Sequence, residues 1–197
     1  MFSLEDLLGQ QQGNQAVEQI SQSLGANPTA TNSAIQIALP MILSALAKNA
    51  REPQGAESLS NALQEKHDGG ILDNLGGFLN DNPQTNNEGI GILGHIFGSK
   101  QGAVAHQVAE KSGLDIGQVA QLLITLAPIV MGFLGKKKQE QNLDVGGLSH
   151  MLGEQQQSMQ SSGNPLMDMI SGFLDEDKDG NPMDDLASMA ASYFQKR

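Results

Sequence analysis

Cysteine is absent from the 197 residues, which excludes disulfide frameworks, thiolate nucleophiles, thiolate-held zinc and iron–sulfur clusters. Tryptophan is absent too, and six Phe with one Tyr leave little material for stacking against bases. Charge is sparse, at 17% of residues, and basic charge sparser: 11 Lys and Arg stand against 22 Asp and Glu, for a formal net charge of −11. A surface of that sign repels phosphates and anionic headgroups, so neither nucleic acid nor a membrane surface is an expected partner. No stretch alternates apolar and polar residues with β-branched or aromatic enrichment, so no strand is expected. The N-terminal MFSLED has no basic segment ahead of an apolar one, so no secretory signal is expected. The longest apolar run, residues 122–135, is interrupted by Thr125 and Pro128 and followed by Lys136, Lys137 and Lys138. As a helix that run rises only about 21 Å, short of the ~30 Å hydrocarbon layer. It is therefore expected to be a buried core helix of a soluble, cytoplasmic protein.

Helical periodicity fills the space left by the missing strands. Within residues 30–48, Ile35, Leu39, Ile42 and Leu46 fall on one helical face, and Val119, Leu122, Leu126, Val130 and Phe133 do so later. Breakers separate such segments: GANP at 25–28, EPQG at 52–55, HDGG at 67–70 and residues 80–87. The chain is expected to be all-α, with eight to ten helices. Residues 1–12 read as a short leading helix running into a flexible Gln/Gly stretch, and residues 155–163 as a helix end plus linker.

The chain also repeats itself. VEQISQSLG at 17–25 lies over AHQVAEKSG at 105–113, an offset of 88 (113 − 25). Gly25 precedes Pro40, and Gly113 precedes Pro128, by the same 15 residues. Around those prolines LPMILSALAK (39–48) faces APIVMGFLGK (127–136), and LDNLGGFL (72–79) faces MDMISGFL (167–174). The expected architecture is an internally duplicated multihelical bundle, one domain over 1–197 with repeats at 13–98 and 103–197. In each repeat a helix ends on a glycine able to take the left-handed conformation. A long apolar helix follows, kinked at its central proline, which cannot donate to the carbonyl four residues back: Gln36 for Pro40, Ile124 for Pro128.

One segment has the pattern of a site. In DEDKDGNPMDD (175–185) the carboxylates of Asp175, Asp177 and Asp179 occupy positions 1, 3 and 5 of a calcium loop. Gly180 sits at position 6, where a sharp turn is needed, and Asn181 can add a main-chain oxygen. Position 12, where a bidentate Glu is expected, is Leu186, so Asp184 or Asp185 would have to close the shell in a tighter loop. Without a cation, Asp184 and Asp185 would instead favour the N-terminus of a helix beginning near Leu186. The matching segment of the first repeat (NDNPQT, 80–85) has neutral amides at positions 1, 3 and 5 and Thr85 where the glycine should be, so the fold does not require acids there. Calcium is the expected cation, and its binding would order the helical pattern of residues 186–194.

Other chemistry-bearing residues are scattered. His67, His95, His106 and His150 show no ligand spacing, and HDGG reads as a turn. The glycines of GIGILGHIFG (89–98) follow no strand, so close helix packing explains them better than a phosphate loop. Ser149 and Ser171 lack a nucleophile-elbow setting.

The phrases ALPMILSALAKNA, HDGGILDNL, GILGHIFG and SGLDIGQVAQLLITLAPIVMGFLGKKK together resemble a widespread bacterial family of unknown function related to the YidB-like proteins. The likeness runs from about residue 4 to 152, and the DKDGNPMDDL tail (177–186) resembles the ending of many members. It implies a small multihelical bacterial protein and no catalytic residues. The expected function is a non-catalytic interaction or regulatory module, its partner a protein or a second copy of the chain. The alternatives are a small hydrolase and a purely structural, self-assembling protein.

Overall fold

The computed structural model describes residues 4–80 and 87–161. The chain divides into compact units at Met1–Gln157 and Ser158–Arg197, so nearly everything described belongs to the first. The acidic loop, the 167–174 half of the third repeat match and the helical pattern at 186–194 lie outside the described residues.

Those residues are all-helical, as expected. In chain order they form α1 (Leu4–Leu8), α2 (Gln10–Leu24), α3 (Pro28–Asn49), α4 (Pro53–Glu65), α5 (Gly70–Asp73), α6 (Leu75–Asn80), α7 (Asn87–Phe97), α8 (Gln101–Ser112), α9 (Ile116–Glu140) and α10 (Val145–Ser161). A 3-10 turn, Gly98–Lys100, joins α7 to α8.

The helix ends follow from their residues. Gly25 and Gly113 close α2 and α8 with φ of 59° and 79°, the left-handed conformation that glycine adopts without a β-carbon penalty. Asn27 starts α3 by accepting from the Thr29 amide at 2.8 Å, ahead of Pro28 at the first helical position. Asp115 starts α9 with a capping box: its carboxylate accepts from the Gln118 amide at 2.9 Å while the Gln118 side chain accepts from the Asp115 amide at 3.1 Å.

Helices α3 and α9, 22 and 25 residues long, form the centre. They pack on each other, α3 also on α2, α7 and α8, and α9 on α4, α5, α7 and α8. In α3 every residue from 37 to 47 is buried, so the single apolar face expected from periodicity is in fact a helix enclosed on all sides. In α9 residues 125–132 are likewise buried without a break. Pro40 and Pro128 lie inside these two helices. The apolar run at 122–135, expected to be too short for a membrane, is part of the 25-residue α9. Both α3 and α9 are long and apolar enough to cross one by length and composition, a test that enclosed core helices also pass.

The Gln/Gly stretch expected to be flexible is the first turn of α2. It is held there because Gly13 lets the α1 backbone come close: a β-carbon on Gly13 would lie 2.6 Å from Glu5 Cα.

Candidate functional site

The HDGG segment is the turn between α4 and α5, as its composition predicts. Gly69 takes φ of 105°, and the Asp68 carboxylate accepts from the Gly70 amide at 3.0 Å. What composition did not predict is its seat. The turn lies on the end of α9 at Gly132 and Gly135, which share one helical face with Pro128 and Ile124 at the spacing i, i+4, i+8 and i+11 from Ile124. A β-carbon on Gly135 would run into the His67 carbonyl oxygen and come within 2.8 Å of its carbon. One on Gly132 would strike Ile71 Cγ2, and one on Gly69 would sit 2.9 Å from Lys136 Cβ. Three absent side chains therefore allow the turn to touch helix backbone directly.

At the other end of that face α7 makes a matching approach. Gly89 lies against the Ile124 carbonyl oxygen, the group to which Pro128 has no amide hydrogen to give. The hydrogen in place of a β-carbon on Gly89 points at that oxygen, a weak C–H donor where the N–H is missing. The Asn49 side chain donates to the His95 carbonyl at 3.2 Å and ties the far end of α7 to α3. The glycine run of α7 is thus only partly explained by close packing. Gly89 is buried, whereas β-carbons on Gly91 and Gly98 would meet nothing within 4 Å.

Between turn and helix sits a titratable pair. The His67 side chain is 6% exposed, with Nε2 3.6 Å from Oε1 of Glu88, which is 45% exposed. Burial lowers the pKa of His67; the Glu88 and Asp68 charges oppose that shift and Lys66 adds to it. A buried neutral imidazole beside a carboxylate can hold and release a proton. At 6% exposure it offers no surface on which a substrate could settle. The other histidines stand apart: His106 Nδ1 lies 3.9 Å from Glu110 and His150 Nδ1 3.5 Å from Glu154, exposed pairs within single helices. Among the described residues no three of His, Asp and Glu gather in a group that could hold a metal ion. The Ser149 hydroxyl donates to the Ala50 carbonyl at 3.0 Å, fastening α10 to the end of α3; Ser171 lies outside the described residues. So do all six proposed cation ligands: Asp175, Asp177, Asp179, Asn181, Asp184 and Asp185.

Large apolar side chains are exposed at Ile90 of α7, at Ile116 where α9 begins and at Val145 where α10 begins, and α7 carries the most apolar sequence of the three around its exposed residue. The α7 sequence, NEGIGILGHIF, is mostly apolar, yet only Gly89, Leu93 and Phe97 are buried. Ile90 is 48% exposed, and Ile92 and Ile96 are half-buried.

Residues 6–137, two thirds of the chain, match the family model DUF937, described as a bacterial protein of unknown function. No curated protein and no solved structure matches the chain.

Proposed function

Since the chain belongs to DUF937, a bacterial family of unknown function whose membership carries no activity with it, we propose that it is a non-catalytic interaction module whose working surface is the outward face of α7. The observation that carries this is the composition of α7 set against its burial. Leaving isoleucine half in water forgoes about 1 kcal/mol of burial per side chain. A helix that does so at Ile90, with Ile92 and Ile96 partly covered on the other flank of its buried stripe, is suited to being covered by a partner. The partner is a protein, met in the cytoplasm. The test is a photo-crosslinking amino acid at position 90 in bacterial cells, with one at the exposed Gln15 of α2 as control. A discrete adduct from position 90 alone, lost on Gly91→Lys, supports the reading. Absence of an adduct, or the same adducts from both positions, overturns it.

The module is built of two repeats, akin to the YidB-like proteins. Supporting this, each repeat places a left-handed glycine (Gly25, Gly113), a capping side chain two residues on (Asn27, Asp115) and an internal helical proline (Pro40, Pro128) at the constant offset of 88 (113 − 25).

The acidic segment adds a regulatory cation. Asp175, Asp177 and Asp179 supply side-chain oxygens, Asn181 its carbonyl, and Asp184 or Asp185 the closing carboxylate for calcium; the support is the acid spacing in the sequence. Thermal unfolding in EDTA and across a calcium series tests it, with Asp177→Ala/Asp179→Ala as control. Native-state binding stabilises by about 2.7 kcal/mol at a hundredfold excess over Kd. Coincident melts up to about 10 mM calcium would overturn it.

A further inference from the structure

We propose that His67 is a proton-operated latch: taking up a proton there loosens α7 and the HDGG turn from α9 while the α3–α9 centre stays closed. The inference is independent of what α7 binds. Its basis is the place of His67 in the packing. The imidazole is buried in a turn whose own carbonyl is pressed on Gly135, and across from it stands Glu88, one residue before the Gly89 contact that seats α7 on Ile124. The same few residues therefore hold the α4–α5 turn and the start of α7 against one stripe of α9.

The charges facing the imidazole come from each element packed around it. The turn contributes Lys66, which disfavours a proton on His67, and Asp68, which favours one. Helix α7 contributes Glu88, at 3.6 Å. On the α9 side Lys136 lies against Gly69, with its ammonium 3.8 Å from Asp73 of α5. Glu88 is the strongest attraction for an imidazolium, but at 45% exposure its field is weakened by water, and burial of the ring outweighs it.

The sign follows. Closed, His67 binds a proton less readily than a free histidine; open, it regains water and its ordinary affinity near pH 6.5. The closed state is fully favoured above about pH 6.5 and loses that advantage as pH falls through the lowered value in the closed state. Each unit of difference shifts the open fraction tenfold. Leu93 and Phe97 still hold α7 by burial, so acid raises the frequency of opening without unfolding the bundle.

Native-state amide hydrogen exchange at pH 7.5 and 5.5, corrected for the intrinsic pH dependence of exchange, tests the latch on the full chain. Protection across residues 67–73 and 87–97 should fall at pH 5.5 by more than any change in α3. His67→Gln should abolish the extra fall. Glu88→Gln, which removes the attraction that partly offsets burial, should enlarge it. If His67→Gln does not fold, the comparison of Glu88→Gln with the parent decides alone. No local fall, the same fall in His67→Gln, a fall shared equally by α3, or a Glu88→Gln response no larger than the parent's would each overturn the proposal.

Discussion

Gly135→Ala should destabilise the protein, although alanine is the better helix former. Inside a helix that exchange ordinarily adds roughly 1 kcal/mol. Here the new methyl would occupy the space of the His67 carbonyl oxygen and press within 2.8 Å of its carbon and 3.4 Å of Asp68 Cα. The obstacle is backbone, so no rotamer change relieves it. The turn must lift, and Ile71 on Gly132 and Gly69 on Lys136 lift with it. Overpacking of this kind costs about 3 kcal/mol at the upper end of its usual range. Subtracting the helix gain leaves a net loss near 2 kcal/mol, a fall of about 4–8 °C in Tm for a chain of this length. Gly153→Ala in α10 is the control, because its β-carbon meets nothing within 4 Å and only the helix gain remains. Its Tm should rise by about 2–4 °C. The assay is thermal unfolding of both variants by circular dichroism at pH 7.5. A Gly135→Ala protein that melts at or above the parent temperature would refute the direct seating of the turn on α9.

Three further substitutions probe other parts of the argument. Asp115→Ala removes the side-chain arm of the capping box on α9, leaving the backbone amide of residue 115 to donate to Gln118, and should lower stability by about 1 kcal/mol, read from the urea midpoint. Asn142 holds φ of 50° just past α9, so Asn142→Gly should raise the midpoint by a few tenths to about 1 kcal/mol. Leu126→Ala, at a fully buried position in the middle of α9, should cost about 2–5 kcal/mol, measured by equilibrium urea unfolding.

How far the sequence could be read depended on whether the cause was local. The two long helices were legible because their apolar residues recur with the helical period, and expected and observed bounds for α3 differ by two residues or fewer. The glycine ends of α2 and α8 were legible because the left-handed conformation singles out glycine. Helix α2 was misjudged over residues 10–12, since nothing nearby announces that α1 will lie on Gly13. Enclosure of α3 on every side was equally hidden, because periodicity reports one face and says nothing of what neighbours cover the others. The pairing of His67 with Glu88 joins residues 21 apart (88 − 67) through a third element, and no spacing rule reaches that far. The one available hint was Gly132 and Gly135 inside an otherwise bulky α9, a place where something must come close. Glycines 89 to 98 looked equivalent in the text and are not: one touches backbone, others face open space.

Pro128 makes α9 selective about its neighbour. By withholding an amide from the Ile124 carbonyl it leaves that oxygen without its usual helix partner, and only a residue without a β-carbon can lie against it at Gly89. Positions 89 and 128 are thus a single unit of inheritance, although they are far apart in the chain. A side chain at 89 is barred by the Ile124 carbonyl and Cγ2, and an amide restored at 128 would compete with Gly89 for that oxygen. The two substitutions should therefore be non-additive, each changing what the other costs, and descendants of this fold should cross between the two arrangements in paired steps.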